Sequence, residues 1–156
     1  MPKPRLLTDR ELAFLRELVR NKVSFLIVGL SAAALQGAPV VTQDIDLWFK
    51  NLSHPGIKKA LRKVGGTYVP PIPHNPPMFA GEAVDLFDIV LTMDGLKSFD
   101  WEYKRTSDIP LGNFKVKVLP LDRILVSKKK ANREKDRLTI PVLRDAIAAT
   151  RKHVSR

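Results

Sequence analysis

Leu12, Leu15, Leu18 and Val19 recur at helical spacing just after Thr8-Asp9-Arg10-Glu11. That tetrapeptide has the form of a capping box, in which Thr8 accepts from the amide of Glu11 and Glu11 reaches back to that of Thr8. Together they predict a helix over residues 9–21, with Leu7 and Leu12 placed as a hydrophobic staple. Residues 24–29 (SFLIVG) are apolar and β-branched and end at glycine, as a buried strand does. Residues 31–36 (SAAALQ) form a short helix stopped by Gly37 and Pro39. In residues 44–49 (DIDLWF), Asp44, Asp46 and Trp48 share one face and Ile45, Leu47 and Phe49 the other, which predicts a strand. Ser53 is placed to cap a helix over residues 55–64, and residues 67–69 read as a short strand. The proline-rich residues 70–77 (PPIPHNPP) fit neither helix nor central strand and predict a stiff surface loop. Residues 83–91 (AVDLFDIVL) are apolar on both faces and predict a central strand, and residues 113–119 (NFKVKVL) a half-exposed one. From Leu121 the pattern is helical to the end, with a break near Asn132 and an irregularity at Pro141. The expected architecture is α/β, a mixed sheet flanked by helices, with a core over about residues 22–120 and a basic helical segment over 121–156.

Length and charge narrow the class. The 156 residues suit one domain. Lys and Arg number 27 against 16 Asp and Glu, a net charge of +11 that favours a polyanionic partner and disfavours cationic substrates such as aminoglycosides. There is no cysteine, which excludes disulfides, thiolate nucleophiles and Cys-ligated zinc. It also permits a reducing compartment, and the expected location is cytoplasmic. Residues 23–43 carry no charge over a span-like length, but their polar residues and Pro39 argue against a membrane helix, and no signal peptide is expected.

Neither a P-loop nor a dinucleotide fingerprint nor a G-x-S-x-G elbow is present, and His54, His74 and His153 lack metal-ligand spacing. What remains is acidic. Asp44 and Asp46, two apart on an apolar strand, point the same way, with Cα atoms about 6.5–7 Å apart. Like charges on one strand face are unfavourable unless a cation bridges them, and Mg²⁺ takes one or two carboxylates together with substrate phosphates. Asp85, inside the apolar run 83–91, completes a two-metal set if that strand lies beside 44–49. Upstream, Gly29-Leu30-Ser31 joins a strand to a short helix, where backbone amides and the Ser31 hydroxyl can meet a phosphate.

The run Ile27-Val28-Gly29-Leu30-Ser31-Ala32 through Gly37, followed by Thr42-x-Asp44-Ile45-Asp46, resembles the signature of the nucleotidyltransferase superfamily, whose fold is that of the DNA polymerase β palm. Ser31 matches the serine of its glycine turn, Asp44 and Asp46 its D-h-D pair, and Val84-Asp85-Leu86 its third-acid strand. The segment 127–136 (SKKKANREKD) resembles a narrower group, the AbiEii-like and related minimal nucleotidyltransferases, many of them toxins of toxin–antitoxin or abortive-infection systems. The likeness covers about residues 24–140. Three positions depart from the pattern: Leu30 stands where glycine or serine is usual, Thr139 where an aspartate often follows, and Asp88 competes with Asp85 as third acid. The match to the family strand favours Asp85; alternation forbids both from serving equally.

The resemblance implies Mg²⁺-dependent transfer of a nucleoside monophosphate from an NTP to a hydroxyl. Asp44, Asp46 and Asp85 would hold two metals, Gly29 and Ser31 would bind the nucleotide, and Lys128 and Arg133 would face its phosphates. The residues themselves leave alternatives open. Lys128 can equally lie on a solvated helix face, Arg133 and Asp136 can simply pair, and Trp48 either stacks on a base or packs in the core. Residues 128–137 hold six positive and two negative residues, and Arg151, Lys152 and Arg156 follow. That basic segment favours an RNA acceptor, tRNA included, and the resemblance to toxin-type members implies an antitoxin protein as a candidate partner. Rival readings are an enzyme that AMPylates a protein hydroxyl and a catalytically silent RNA-binding module.

Overall fold

The computed structural model describes residues 7–154, with side chains as far as Arg151; Arg156 and the side chain of Lys152 lie outside the described residues. Helix α1 (Asp9–Arg20) opens with the expected capping box. The Thr8 hydroxyl accepts from the Glu11 amide at 3.3 Å, and the Glu11 carboxylate accepts from the Thr8 amide at 2.8 Å. Strand β1 (Phe25–Val28), helix α2 (Gly29–Leu35), strand β2 (Ile45–Phe49) and helix α3 (Pro55–Lys63) follow. The cap of α3 is His54, not Ser53: its Nδ1 accepts from the Gly56 amide at 2.9 Å, and Pro55 takes the first turn, where no amide is needed. Strands β3 (Thr67–Val69) and β4 (Met78–Ala80) pair antiparallel as a separate small sheet, with the proline-rich loop between them exposed. Strand β5 (Phe87–Val90), helix α4 (Phe99–Tyr103), strands β6 (Ser107–Leu111) and β7 (Phe114–Val118), and helices α5 (Leu121–Ala131) and α6 (Glu134–Val154) complete the chain.

Five strands form one mixed sheet in the order β5-β2-β1-β7-β6. β1 runs antiparallel to β2 and parallel to β7, and β2 runs parallel to β5. The run 83–91 is therefore neither one strand nor central. Gly81 has φ +129°, its carbonyl accepts from the Val84 amide, and the Val84 carbonyl accepts from Phe87. Residues 82–86 thus form turns that bury Ala83 and Val84, and an edge strand starts only at Phe87. Turn burial and strand burial leave the same apolar signature. Helix α4 and strand β6 were not apparent in the sequence. Ser98 caps α4 by accepting from the Trp101 amide, and β6 contains Pro110, which an edge strand tolerates. The break at Asn132 is as expected: it ends α5 in the left-handed conformation, φ 49°. Helix α6 continues through Pro141.

Alternation along β2 divides the interior. The Ile45, Leu47 and Phe49 face joins an aromatic cluster in which Phe14 of α1 meets Phe79 and Phe87, with ring centroids 5.5 and 5.2 Å away, and Phe49 meets Phe79. Trp48 also packs in the core. It is 4% exposed, sets its ring edge-on to Phe99 and donates to the Leu91 carbonyl, so it does not stack on a base. The charge-free residues 23–43 are divided among β1, α2 and the loop before β2. Among the described residues no helix is long and apolar enough to cross a membrane. The capping box gives a direct check: Thr8→Ala should cost about 1 kcal/mol of unfolding free energy, read by chemical denaturation. An unchanged midpoint would mean that α1 does not depend on its cap.

Candidate active site

Asp46 is the centre of the site because three strands meet there. It lies opposite Val28 of β1 on one side and opposite Asp88 of β5 on the other. Residues in register on adjacent strands point to the same face about 4.8 Å apart, so Asp46 and Asp88 share a face, and Asp44, two residues before Asp46, joins them. All three line a cleft of about 380 Å³ with Leu30, Thr42, Lys128, Arg133, Lys135, Asp136 and Thr139. Asp85 is not there. It is exposed in the turn before β5, and its carboxylate accepts from the Gly81 amide at 3.2 Å. The structure therefore replaces Asp85 by Asp88 as the third acid of the cluster. The strand starts four residues later than the apolar pattern indicates, and its register with β2 brings Asp88 to the site.

The glycine turn is built as a support. Gly29 has φ +67°, a conformation that glycine adopts freely, and a Cβ placed there would stand 2.5 Å from Asp46 Oδ2. Ser31 is fully buried; its hydroxyl donates to the Val28 carbonyl at 2.8 Å and accepts from the Asp46 amide at 3.2 Å. With both roles used, Ser31 ties the end of β1 to β2 and positions Asp46, rather than offering a donor to the cleft. Thr42 donates to the Asp44 carbonyl and shapes the entry to β2.

The opposite wall is the α5–α6 corner. Asp136 is 1% exposed; its Oδ2 accepts from the Arg133 amide (3.0 Å) and Arg133 Nε (2.8 Å), and its Oδ1 accepts from a terminal Arg133 nitrogen (3.2 Å) with Lys128 Nζ 3.3 Å from the same oxygen. Burial pushes the Asp136 carboxyl up, but the Arg133 hydrogen bonds and the Lys128 charge outweigh it and hold the group at about 2. Arg133 and Asp136 therefore do pair, and the pair also faces the cleft. Lys128 and Arg133, with Asp46, line a second cavity of about 470 Å³ bounded by Gly29, Thr92, Met93, Asp94, Ser127 and Ala131, so the two cavities form one groove with Lys128 between them. Thr92 and Asp94 gave no sequence signal, whereas Lys135 belongs to the Arg133-x-Lys135-Asp136 element of the 127–136 segment. A larger cavity near Arg10, Lys63 and Glu82 has no convergent acids and lies apart from this chemistry.

Burial, together with the Asp88 and Asp44 charges, raises the Asp46 pKa to about 6, against a partial offset from Lys128 and Lys135. Asp88 is raised for the same two reasons, burial first and then Asp44. Among the described residues no three His, Cys, Asp or Glu side chains stand close enough to hold a metal as they are. The donor set nonetheless fits a hard cation: only carboxylate oxygens converge, and their mutual repulsion is what a divalent ion relieves.

No protein-family model matches the chain, and no curated protein matches it. Solved structures do. A crystal structure of ANT(2'')-Ia in complex with adenylyl-2''-tobramycin superposes with a TM-score of 0.57 at 12% identity, over 92% of this chain and 90% of that one. A solution structure of the antibiotic-resistance factor ANT(2'')-Ia gives 0.57 at 13% identity, over 94% and 91%. At this identity the likeness is one of fold. It establishes a mixed α/β fold shared with ANT(2'')-Ia, and it does not single out the toxin-type subgroup.

Two outcomes follow from this geometry. Between about pH 4 and 6 the folded protein keeps a proton on Asp46 that the unfolded chain has released, so the metal-free protein loses stability as pH rises through that window, by about 2–3 kcal/mol at most. Asp46→Asn should therefore raise the metal-free melting temperature at about pH 7.5 and leave it nearly unchanged at about pH 4; an equal effect at both would refute the charge cluster. Gly29→Ala should lower stability by about 1–2 kcal/mol through left-handed strain, measured by denaturation, and disturb the Asp46 carboxylate as well.

Proposed function

We propose that the protein is a Mg²⁺-dependent nucleotidyltransferase that moves a nucleoside monophosphate from an NTP to a hydroxyl, with RNA, tRNA included, as acceptor. The observation that carries this is the convergence of Asp44, Asp46 and Asp88 on one face, opposite the Lys128–Asp136–Arg133 corner. Asp44, Asp46 and Asp88 would hold Mg²⁺, which supplies charge neutralisation at the phosphates and a lowered pKa for the attacking hydroxyl. Lys128, half-buried and held in place by Asp136, offers a fixed positive charge to the triphosphate along the groove, and Arg133 stands beside it. Gly29 admits the nucleotide by its missing side chain, and Ser31 acts through Asp46. Attack on the α-phosphorus forms one P–O bond and breaks that to pyrophosphate. The intact acid cluster weighs against a catalytically silent module.

The acceptor reading rests on charge. Lys128, Arg133 and Lys135 line the cleft, and Lys129, Lys130 and Arg137 are exposed on the same helices, a rim suited to phosphates. A second reading, a polyol acceptor of aminoglycoside type, draws on the neighbour bound to adenylyl-2''-tobramycin; these cations weigh against it. An antitoxin partner, and the toxin role itself, belong to the RNA reading and go with it.

The test is to incubate the protein with each labelled NTP, Mg²⁺ and either total RNA or tobramycin, and to ask what becomes labelled. RNA should be. Asp88→Asn should abolish labelling, whereas Asp85→Asn should stay within about twofold of wild type, as a surface change does. The reverse order would return the third-acid role to Asp85, and labelled tobramycin with unlabelled RNA would replace the acceptor.

A further inference from the structure

The positive charge is not confined to the α5–α6 corner. Helix α4 lies at the end of β2 away from the site: Asp100 pairs with Lys50, the residue after β2, at 3.0 Å. On α4 the half-buried indole of Trp101 gathers three cations. The Arg105 guanidinium carbon is 3.9 Å from the ring centroid, Lys97 Nζ 4.7 Å and the Arg123 guanidinium carbon 5.0 Å. Arg123 is neutralised by buried Glu102 through bonds of 2.7 and 3.0 Å. Among the described residues no carboxylate forms an ion pair with Lys97 or Arg105, and both are exposed. Two residues beyond Trp101 on α4, Tyr103 has Lys117 Nζ 5.5 Å from its ring centroid. Cation–π attraction holds these groups to the rings, yet it concentrates like charge at one place on the surface.

The cluster and the groove share helix α5, although Arg123 and Lys128, five residues apart, are separated by a rise of about 7.5 Å and a turn of about 140° and so leave different faces of it. The link is the segment before α4. The chain from Thr92 to Lys97 runs beside that helix. Its first residues line the second cavity; Gly95 packs so closely on Lys130 that a Cβ there would lie 2.8 Å from Lys130 Cβ; and Lys97 ends the segment at Trp101. Lys97 and Arg105 are exposed beside a half-buried ring, and Arg105 also donates to the Trp101 carbonyl at 2.9 Å. Exposed cations next to an aromatic edge are the parts of a single-strand binding surface, phosphates meeting the charges and a base meeting what the ring leaves open.

We propose that the α4 face, centred on Trp101, Lys97 and Arg105, holds the body of a single-stranded RNA acceptor whose reactive end lies at Asp44, Asp46 and Asp88. This rests on the RNA reading of the acceptor, and it adds a second, separate surface to it. Lys97 and Arg105 touch none of the groove, so their loss should separate RNA binding from nucleotide chemistry.

The experiment is a titration of a fluorescein-labelled single-stranded RNA with the full-length protein, without NTP or Mg²⁺, by anisotropy at several salt concentrations. Trp101 emission is followed in parallel, Trp48 being buried in the core. Lys97→Gln with Arg105→Gln should weaken binding more than about tenfold at ~0.1 M salt and flatten the logarithmic salt slope by about 1.4, two contacts at about 0.7 each. RNA should quench wild-type Trp101 emission, and Trp101→Leu should remove the quench. Pyrophosphate release from Mg²⁺-NTP with excess acceptor should match wild type in the double variant. Wild-type affinity in that variant, with affinity lost in Lys129→Glu with Lys130→Glu, would place RNA on the α5–α6 corner and overturn the proposal. No RNA binding by the wild type would overturn it too, while pyrophosphate release that depends on Asp44 and Asp46 would leave nucleotidyl transfer standing.

Discussion

Three carboxylates are made to share one face, and the rest of the molecule is arranged around that cost. Asp46 has Asp88 in register beside it and Asp44 two residues before it. None of them can turn away without moving Ile45, Leu47 or Phe87 out of the core, where each is at most 2% exposed. The apolar face of the sheet thus holds its acidic face in place. Burial first, and the neighbouring carboxylates second, raise the Asp46 and Asp88 pKa values. A fold gains nothing from such an arrangement by itself; in the proposed function a bound cation, with phosphate behind it, would give it a use.

The surrounding parts keep the acids placed and balanced. Ser31 bridges β1 and β2 through the Asp46 amide, and Gly29 leaves room against the Asp46 carboxylate. Across the groove, Asp136 fixes Lys128 and Arg133 from behind. It is buried and fully engaged, and removing one member of such a set typically costs about 3–5 kcal/mol. The acids of the sheet and the cations of the helical corner come from segments about 40 to 90 residues apart in sequence, and their juxtaposition is a property of the fold.

Much of this was legible in the chain. The D-x-D alternation in 44–49, the glycine after β1 and the lysine–arginine–aspartate spacing across the α5–α6 corner each appear in the structure as elements of one groove. The rest failed for physical reasons. Ala83 and Val84 are buried by a turn, so apolar content alone extended the strand and favoured Asp85. Ser31 was read as a free donor, because a sequence does not show that the Val28 carbonyl and Asp46 amide engage its hydroxyl. Helix α4 is five residues long, too short for a periodic signal, and it carries Trp101, whose cation cluster draws on residues from three segments. The charge of +11 was visible as a sum, but its division between two surfaces was not.

The central claim is that Asp44, Asp46 and Asp88 together hold the metal. Anomalous diffraction from crystals grown with Mn²⁺ and a non-hydrolysable NTP tests it most directly. The account predicts Mn²⁺ peaks bounded by those three carboxylates and the triphosphate, with Asp85 still hydrogen-bonded to the Gly81 amide. Mn²⁺ bound at Asp85, or a triphosphate seated away from Asp44, Asp46 and Asp88, would contradict it.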